Sequence, residues 1–221
     1  MTVTTYPVHV EASLDTELSR WLWLFKWLLA IPHFVVLAFL WVGYVLASIG
    51  AFFAIFFTGH YPARLFRYNV GVLRWSWRVH YYTYGALATD RYPPFALREV
   101  ADYPAHLEVD EPGELSRGLV LVKWWLLAIP HYLVVGLFLG GGLWATHEGG
   151  LISLLAIIAG FALAFTGRYP TPIYDFVLGM NRWALRVAAY ASLMTDQYPP
   201  FRLDPGAHEP VRVEEAPPGS A

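Results

Sequence analysis

The side chains best placed to do chemistry are two histidines, each following a proline in matching apolar surroundings: Leu29-Ala30-Ile31-Pro32-His33 and Leu127-Ala128-Ile129-Pro130-His131. A pair of imidazoles brought to one axis could bind a haem iron, a metal or a quinone. The plainer reading is structural. Proline leaves a backbone carbonyl unpartnered one turn earlier, and a nearby histidine can help satisfy it. Lys26 and Lys123 lie a turn or two before those motifs, where snorkelling to a polar boundary is the ordinary role and lining a pathway the other. Four further cations, Arg64, Arg67, Arg74 and Arg78, fall within roughly 80° on a helical wheel. Arg182 and Arg186 recur with Asp175 in the same pattern. Such a stripe beside indoles suits anionic headgroups at a lipid boundary, although Asp175 weakens a dedicated phosphate site.

Other chemistry is excluded by absence. No Asp or Glu occurs between Leu18 and Phe57, and Glu148 is the only one between Leu115 and Phe165. Ion-coupled transport and carboxylate-pair hydrolysis lose their usual groups. With no cysteine, thiol catalysis, disulfides and iron–sulfur ligation are gone. Nucleophile-elbow, zincin, Walker and Rossmann patterns are missing. No catalytic residue, metal or cofactor is expected, and a net charge of −2 suggests no nucleic acid.

The elements that carry these residues come as two copies of one unit. Glu17-Leu18-Ser19-Arg20 returns as Glu114-Leu115-Ser116-Arg117, and Thr58-Gly59-His60-Tyr61-Pro62 as Thr166-Gly167-Arg168-Tyr169-Pro170. Arg74-Trp75 and Arg78-Val79 return as Arg182-Trp183 and Arg186-Val187, and Thr89-Asp90-x-Tyr92-Pro93-Pro94-Phe95 as Thr195-Asp196-x-Tyr198-Pro199-Pro200-Phe201. The copies lie 98 residues apart at Ile-Pro-His and 108 apart at Thr-Gly-x-Tyr-Pro, so the second holds ten more residues, around Gly140–Gly150. Insertions favour loops, which predicts a turn near Trp41-Val42-Gly43-Tyr44 in the first copy.

At 57% hydrophobic and 14% charged residues, the chain reads as an all-α membrane protein. Repeat 1 (1–98) is expected to hold a transmembrane hairpin over about 18–57 and an amphipathic interfacial helix over about 63–88. Repeat 2 (99–204) is expected to hold a hairpin over about 115–165 and a helix over about 172–194. A re-entrant hairpin is the alternative, since Pro32 and Pro130 interrupt the first legs. Small residues every four positions (Ala47, Ala51; Ala156, Gly160, Ala164) predict close helix contact. No signal-peptide pattern precedes the first run, so it is expected to be kept. All Lys and Arg lie outside the expected tips, which puts both termini in the cytoplasm and the copies about a pseudo-twofold axis along the membrane normal.

Short alternating stretches (8–11, 95–98, 106–109 and 201–203) read as brief cytoplasmic strands. The tail, 205–221, reads as flexible. The doubled Tyr-Pro-Pro-Phe element reads as structural.

Ile-Pro-His, Thr-Gly-x-Tyr-Pro, Arg-Trp-x-x-Arg and Tyr-Pro-Pro-Phe together resemble an uncharacterised bacterial membrane family, domain of unknown function 4389. The resemblance covers both copies and implies a bacterial plasma membrane protein, with no functional residue to carry over. The expectation is a non-enzymatic scaffold or accessory subunit, partnered by lipids and other membrane subunits. A lipid or small-molecule carrier with a site on the pseudo-twofold axis is the alternative, and a bis-histidine haem or quinone protein the second.

Overall fold

A computed structural model describes residues 2–3, 6–140, 150–206 and 213–214. The insert at 141–149 and the tail beyond 206, apart from 213–214, lie outside the described residues. The fold is mostly helical. Repeat 1 contains β2 (Val8–Ala12), a 3-10 turn (Leu22–Leu24), α1 (Lys26–Leu29), α2 (Ile31–Thr58) and α3 (Ala63–Tyr82). Repeat 2 contains β3 (Ala105–Val109), α4 (Leu119–Val122), a π-helix (Lys123–Leu127), α5 (Ile129–Leu139), α6 (Leu151–Thr166) and α7 (Thr171–Ala191). At the ends β1 (Thr2–Val3) pairs with β4 (Val213–Glu214).

The turn expected at Trp41–Tyr44 is not formed. α2 runs unbroken through it for 28 residues. Gly43 serves packing instead: the Tyr68 ring of α3 sits directly against it, and the Tyr68 hydroxyl donates to Leu40 O at 2.9 Å. A continuous helix also satisfies its own backbone groups, which a turn there would leave open. In repeat 2, α5 ends at Gly140, and Gly150 packs directly against the Phe138–Gly140 backbone before α6 begins. α5 and α6 both pack on α7, as α2 packs on α3. The ten extra residues therefore interrupt a long helix, and α5 plus α6 is the counterpart of α2. The reversal in each copy comes later, at Gly59 and Gly167. Both cap their helix in the left-handed region (φ 77° and 72°), where glycine is unstrained.

A second insertion is smaller. Lys26 O accepts from Ala30 N, an α-helical bond of 2.9 Å, whereas Lys123 O accepts from Ala128 N, one residue further on, at 3.0 Å. Repeat 2 has one more tryptophan here, and the π-turn absorbs it. Lysine and Ile-Pro-His thereby keep the same relation in both copies. Leu119–Leu127 and Ile129–Leu139 meet at a 44° bend, and Pro32 and Pro130 stand in the first turn of the helices that follow, where a missing N–H costs nothing.

The layers follow from α3 and α7. Residues 65, 69 and 76 of α3 face α2, and residues 71, 74 and 78 lie roughly 165° round the helix. Gly71 meets Leu97 on that second side, and Arg74 Nε donates to Leu107 O at 2.9 Å. α3 and α7 are thus a buried middle layer between β2–β3 and the apolar helices, with most of their surface covered by the chain itself. β2 and β3 pair antiparallel, with Val10 opposite Leu107, its own counterpart in the other copy. The strands expected at 95–98 and 201–203 are irregular chain. Prolines 93, 94, 199 and 200 deprive them of donors, and the 96–98 carbonyls are taken by arginine side chains instead.

α2 is long and apolar enough to cross a membrane, with 22% of its most apolar stretch buried; the bent pair in repeat 2 passes the same test if taken as one. Phe39, Leu46 and Phe57 on α2, and Leu137 and Phe165 in repeat 2, are each more than 60% exposed.

Candidate functional site

Each copy builds the same polar cluster where its apolar run begins. Lys26, 1% exposed, donates to Thr89 O at 2.7 Å and lies 2.9 Å from Asp90 Oδ1. Lys123 donates to Thr195 O at 3.1 Å and to Asp196 Oδ1 at 2.6 Å. Tyr82 and Tyr190 place a ring face 5.1 and 5.8 Å from the two ammonium groups. The other oxygen of each aspartate accepts from the backbone N–H of Ser19 or Ser116. The snorkelling expected of the lysines is corrected. A carboxylate and a carbonyl reach them in the interior, so neither needs a boundary with water.

The histidines sit beside these clusters in aromatic cages. His33 is fully buried and stacks on Phe95, centroids 3.9 Å apart, with Tyr92 at 4.8 Å. Its Nδ1 accepts from Trp75 Nε1 at 3.0 Å. His131 repeats the arrangement with Phe201 at 4.2 Å, Tyr198 at 4.7 Å and Trp183 Nε1 at 3.0 Å. Because the indole N–H is a donor only, Nδ1 carries no proton and the neutral ring is the Nε2–H tautomer. Each imidazole is enclosed by side chains of its own copy, so the structure does not bring the two onto a shared axis. Among the described residues no group of three metal-ligating side chains occurs. The carbonyls at the proline bend are served by backbone and tyrosine, not by histidine: Ala30 and Ala128 donate to Leu28 O and Leu126 O, and beside them Tyr92 donates to Leu29 O at 3.0 Å and Tyr198 to Leu127 O at 3.1 Å.

The doubled Thr-Asp-x-Tyr-Pro-Pro-Phe element thus supplies the carbonyl and carboxylate that hold the lysine, the hydroxyl at the bend and the ring stacked on the histidine. A family model described as Domain of unknown function (DUF4389) matches residues 20–96 and 121–202, more than half of the chain. The chain belongs to that family. Each DUF4389 match runs through the lysine and the Ile-Pro-His motif to the aromatic residues that cage the histidine. No curated protein and no solved structure matches the chain.

The arginine stripe of the DUF4389 unit divides in two. Arg64 and Arg67 are exposed, as headgroup contacts require. The other four expected headgroup contacts are corrected, because backbone and carboxylates consume them. Arg74 pairs with Glu99 at 2.6 Å. Arg78, fully buried, donates to Ala96 O and Arg98 O at 3.0 and 2.8 Å. Arg182 donates to Val10 O at 2.8 Å, and Arg186 pairs with Asp204 at 2.7 Å. These guanidiniums replace the ladder that irregular segments lack, with five donors apiece in a fixed fork. The one sign of this in sequence is Gly71 and Gly179 inside the stripe, where Leu97 and Leu203 come closest.

Proposed function

We propose that this DUF4389 chain is a non-enzymatic bacterial membrane protein, seated in one leaflet from the cytoplasmic side as a scaffold or accessory subunit for lipids and membrane complexes. One observation carries the reading: the apolar helices and the polar strands lie on opposite sides of the α3–α7 layer. Each large apolar side chain on the outer helices gains about 1.5–3 kcal/mol on leaving water. Lys26, Lys123 and the buried arginines are engaged with carboxylates and carbonyls, and the two imidazoles stand in separate cages with Nε2 meeting no hydrogen-bond partner among the described residues, which favours a structural role over catalysis or bis-histidine cofactor binding.

Seating in one leaflet fits the packing better than the full crossing that composition suggests. The middle of α2 faces the middle of α3 through Ser48 and Asn69, 3.0 Å apart. The middle of α3 in turn carries the strands. An α2 running along the membrane normal would place Glu11 and Glu108, both exposed, level with the hydrocarbon centre, where one charge costs about 2.5–3.5 kcal/mol. An α2 lying in the membrane plane leaves them in water. The ends of the apolar runs support the same orientation. Arg20, before the first run, touches Gly167 at the end of the second, and Glu114 and Arg117 touch Gly59 at the end of the first. With Val10 paired to Leu107, the pseudo-twofold axis passes through the sheet at right angles to it. If that axis is the membrane normal, all four ends share one depth, and each run dips into lipid and returns.

Cysteine labelling tests this in a chain that has none of its own. His60→Cys and Glu108→Cys are expected to react with an impermeant maleimide only when the cytoplasmic side is opened. Reaction of His60→Cys from outside intact cells restores a crossing α2. Recovery of the chain in the soluble fraction without detergent defeats membrane seating altogether.

A further inference from the structure

The two copies are not equivalent where they meet, and the difference opens a cavity of ≈ 590 Å³. One wall is α2, with Trp41, Val45, Ile49 and Phe53; the other is Trp124 and the end of α7, with Ala188 and Ser192. The register that pairs Thr58 with Thr166 and Arg78 with Arg186 makes Gly160 the counterpart of Phe52 and Tyr84 the counterpart of Ser192. At the other, pseudo-equivalent position the space is filled. Trp23 lies against Gly160 so closely that a Cβ there would be 3.0 Å from the indole. Its ring meets Phe161 edge-on at 5.3 Å, and Tyr84 donates to Trp23 O at 3.3 Å. On the cavity side Val120 stands for Trp23, Ser192 for Tyr84 and Ala188 for His80. Three large side chains are lost on the cavity side while Phe52 in place of Gly160 returns one, and the net loss of bulk leaves the space open.

The walls specify what enters. The two serine hydroxyls in the lining are engaged locally: Ser48 donates to Tyr44 O at 2.8 Å, and Ser192 to Ala188 O at 2.7 Å. What remains is hydrocarbon and aromatic surface. The volume falls in the ~300–1,000 Å³ range of small-molecule sites. Trp41, Val45, Ile49 and Phe53 of the lining are among the exposed apolar residues of α2, so the cavity is reached from that apolar face. We propose that this cavity holds a hydrocarbon chain of a membrane phospholipid, entering sideways from the leaflet and taking the place that Trp23 and Tyr84 occupy in the other half. The proposal rests on the membrane reading above.

Phospholipid vesicles carrying a photoactivatable diazirine on the acyl chain test it with the full chain reconstituted. Cross-links are expected at cavity residues Ile49 and Trp124, and also at Phe39 and Leu137 on the outer face, which bulk lipid touches. Ser192→Tyr restores the bulk of Tyr84 and should reduce the cavity cross-links roughly tenfold or more while leaving those at Phe39 and Leu137 unchanged. Should that variant fail to fold, Val45→Phe narrows the cavity from the α2 wall with the same expected outcome. Cavity labelling that persists in a folded, filled variant, or that is missing from the wild type while Phe39 is labelled, overturns the proposal. Absence of label at Phe39 and Leu137 as well removes the membrane reading on which it stands.

Discussion

Lys26 Nζ and Asp90 Oδ1 meet at 2.9 Å, and the pair recurs in the second copy as Lys123 and Asp196 at 2.6 Å. The lysines are 1% exposed and the aspartates about a quarter, so each ammonium is held from inside while its carboxylate keeps some contact with the surface. Each aspartate also holds the backbone at the start of the apolar run, through Ser19 or Ser116. The pair therefore fixes where the run enters the fold.

Asp90→Asn should destabilise the chain strongly. It leaves a buried ammonium without its counter-charge, a loss of about 3–5 kcal/mol when one partner of a buried pair is removed. The double variant Lys26→Met/Asp90→Asn removes the stranded charge and should recover much of that loss. Thermal unfolding of detergent-purified protein measures both. Equal midpoints for Asp90→Asn and wild type would show that the pair contributes nothing.

The histidine cage makes a different prediction. Trp75→Phe keeps the aromatic packing but removes the N–H that Nδ1 of His33 accepts. A buried acceptor left unpaired costs about 1–3 kcal/mol. With that constraint gone, the ring should no longer hold a single tautomer. Nitrogen-15 shifts of His33, with His131 as an internal control held by Trp183, would reveal the change. A wild-type tautomer pattern in Trp75→Phe would mean that the indole does not set it.

The outline of the fold is legible in the sequence because repetition marks it. The copies, the helices at 63–82 and 171–191, and the strands at 8–12 and 105–109 all lie close to where periodicity and motif spacing put them. The pairings that matter are not legible. Lys26 finds Asp90 and His33 finds Trp75 across dozens of residues, and neither histidine nor lysine carries a local sign of its partner. The hairpin turn failed for a physical reason. An insertion marks a loop only in the copy that carries it: a helix interrupted at Gly140 can resume against its own end, so the shorter copy needs no turn at Gly43. The arginine stripe misled because side chains that bind carbonyls of an irregular segment have the same spacing as those that face headgroups.

His80 gives the chain a built-in acid sensitivity. Burial holds its imidazole near pKa about 4, against an ordinary 6.5, with the Asn181 side chain opposing the shift. A histidine with a depressed pKa stays neutral in the fold while the unfolded chain takes up a proton. Stability is thus full above about 6.5 and falls as pH drops from there toward 4. Its counterpart in the second copy is Ala188, so His80→Ala is a substitution the architecture already tolerates. The melting temperature of His80→Ala should fall less than that of wild type between pH 6.5 and 4.5. Identical slopes would show that the acid sensitivity comes from the carboxylates alone.

The π-turn at Lys123–Leu127 predicts an unusual tolerance. Deleting one residue from an ordinary helix rotates everything beyond it by about 100° and misplaces every buried side chain. Here the second copy holds one residue more than the first between lysine and alanine, and the Lys123 O to Ala128 N bond of 3.0 Å closes a turn that carries it. Deleting Trp125 should convert this turn to the α-helical form of the first copy, in which Lys26 O accepts from Ala30 N. Lys123 then still reaches Asp196, and His131 still reaches Trp183. The single deletion should retain the fold with a modest drop in melting temperature, whereas deleting Trp27 from the first copy, which has no residue to spare, should prevent folding. If both deletions are equally harmful, the π-turn is not an absorbed insertion, and the matching partners of the two lysines must be held by something other than register.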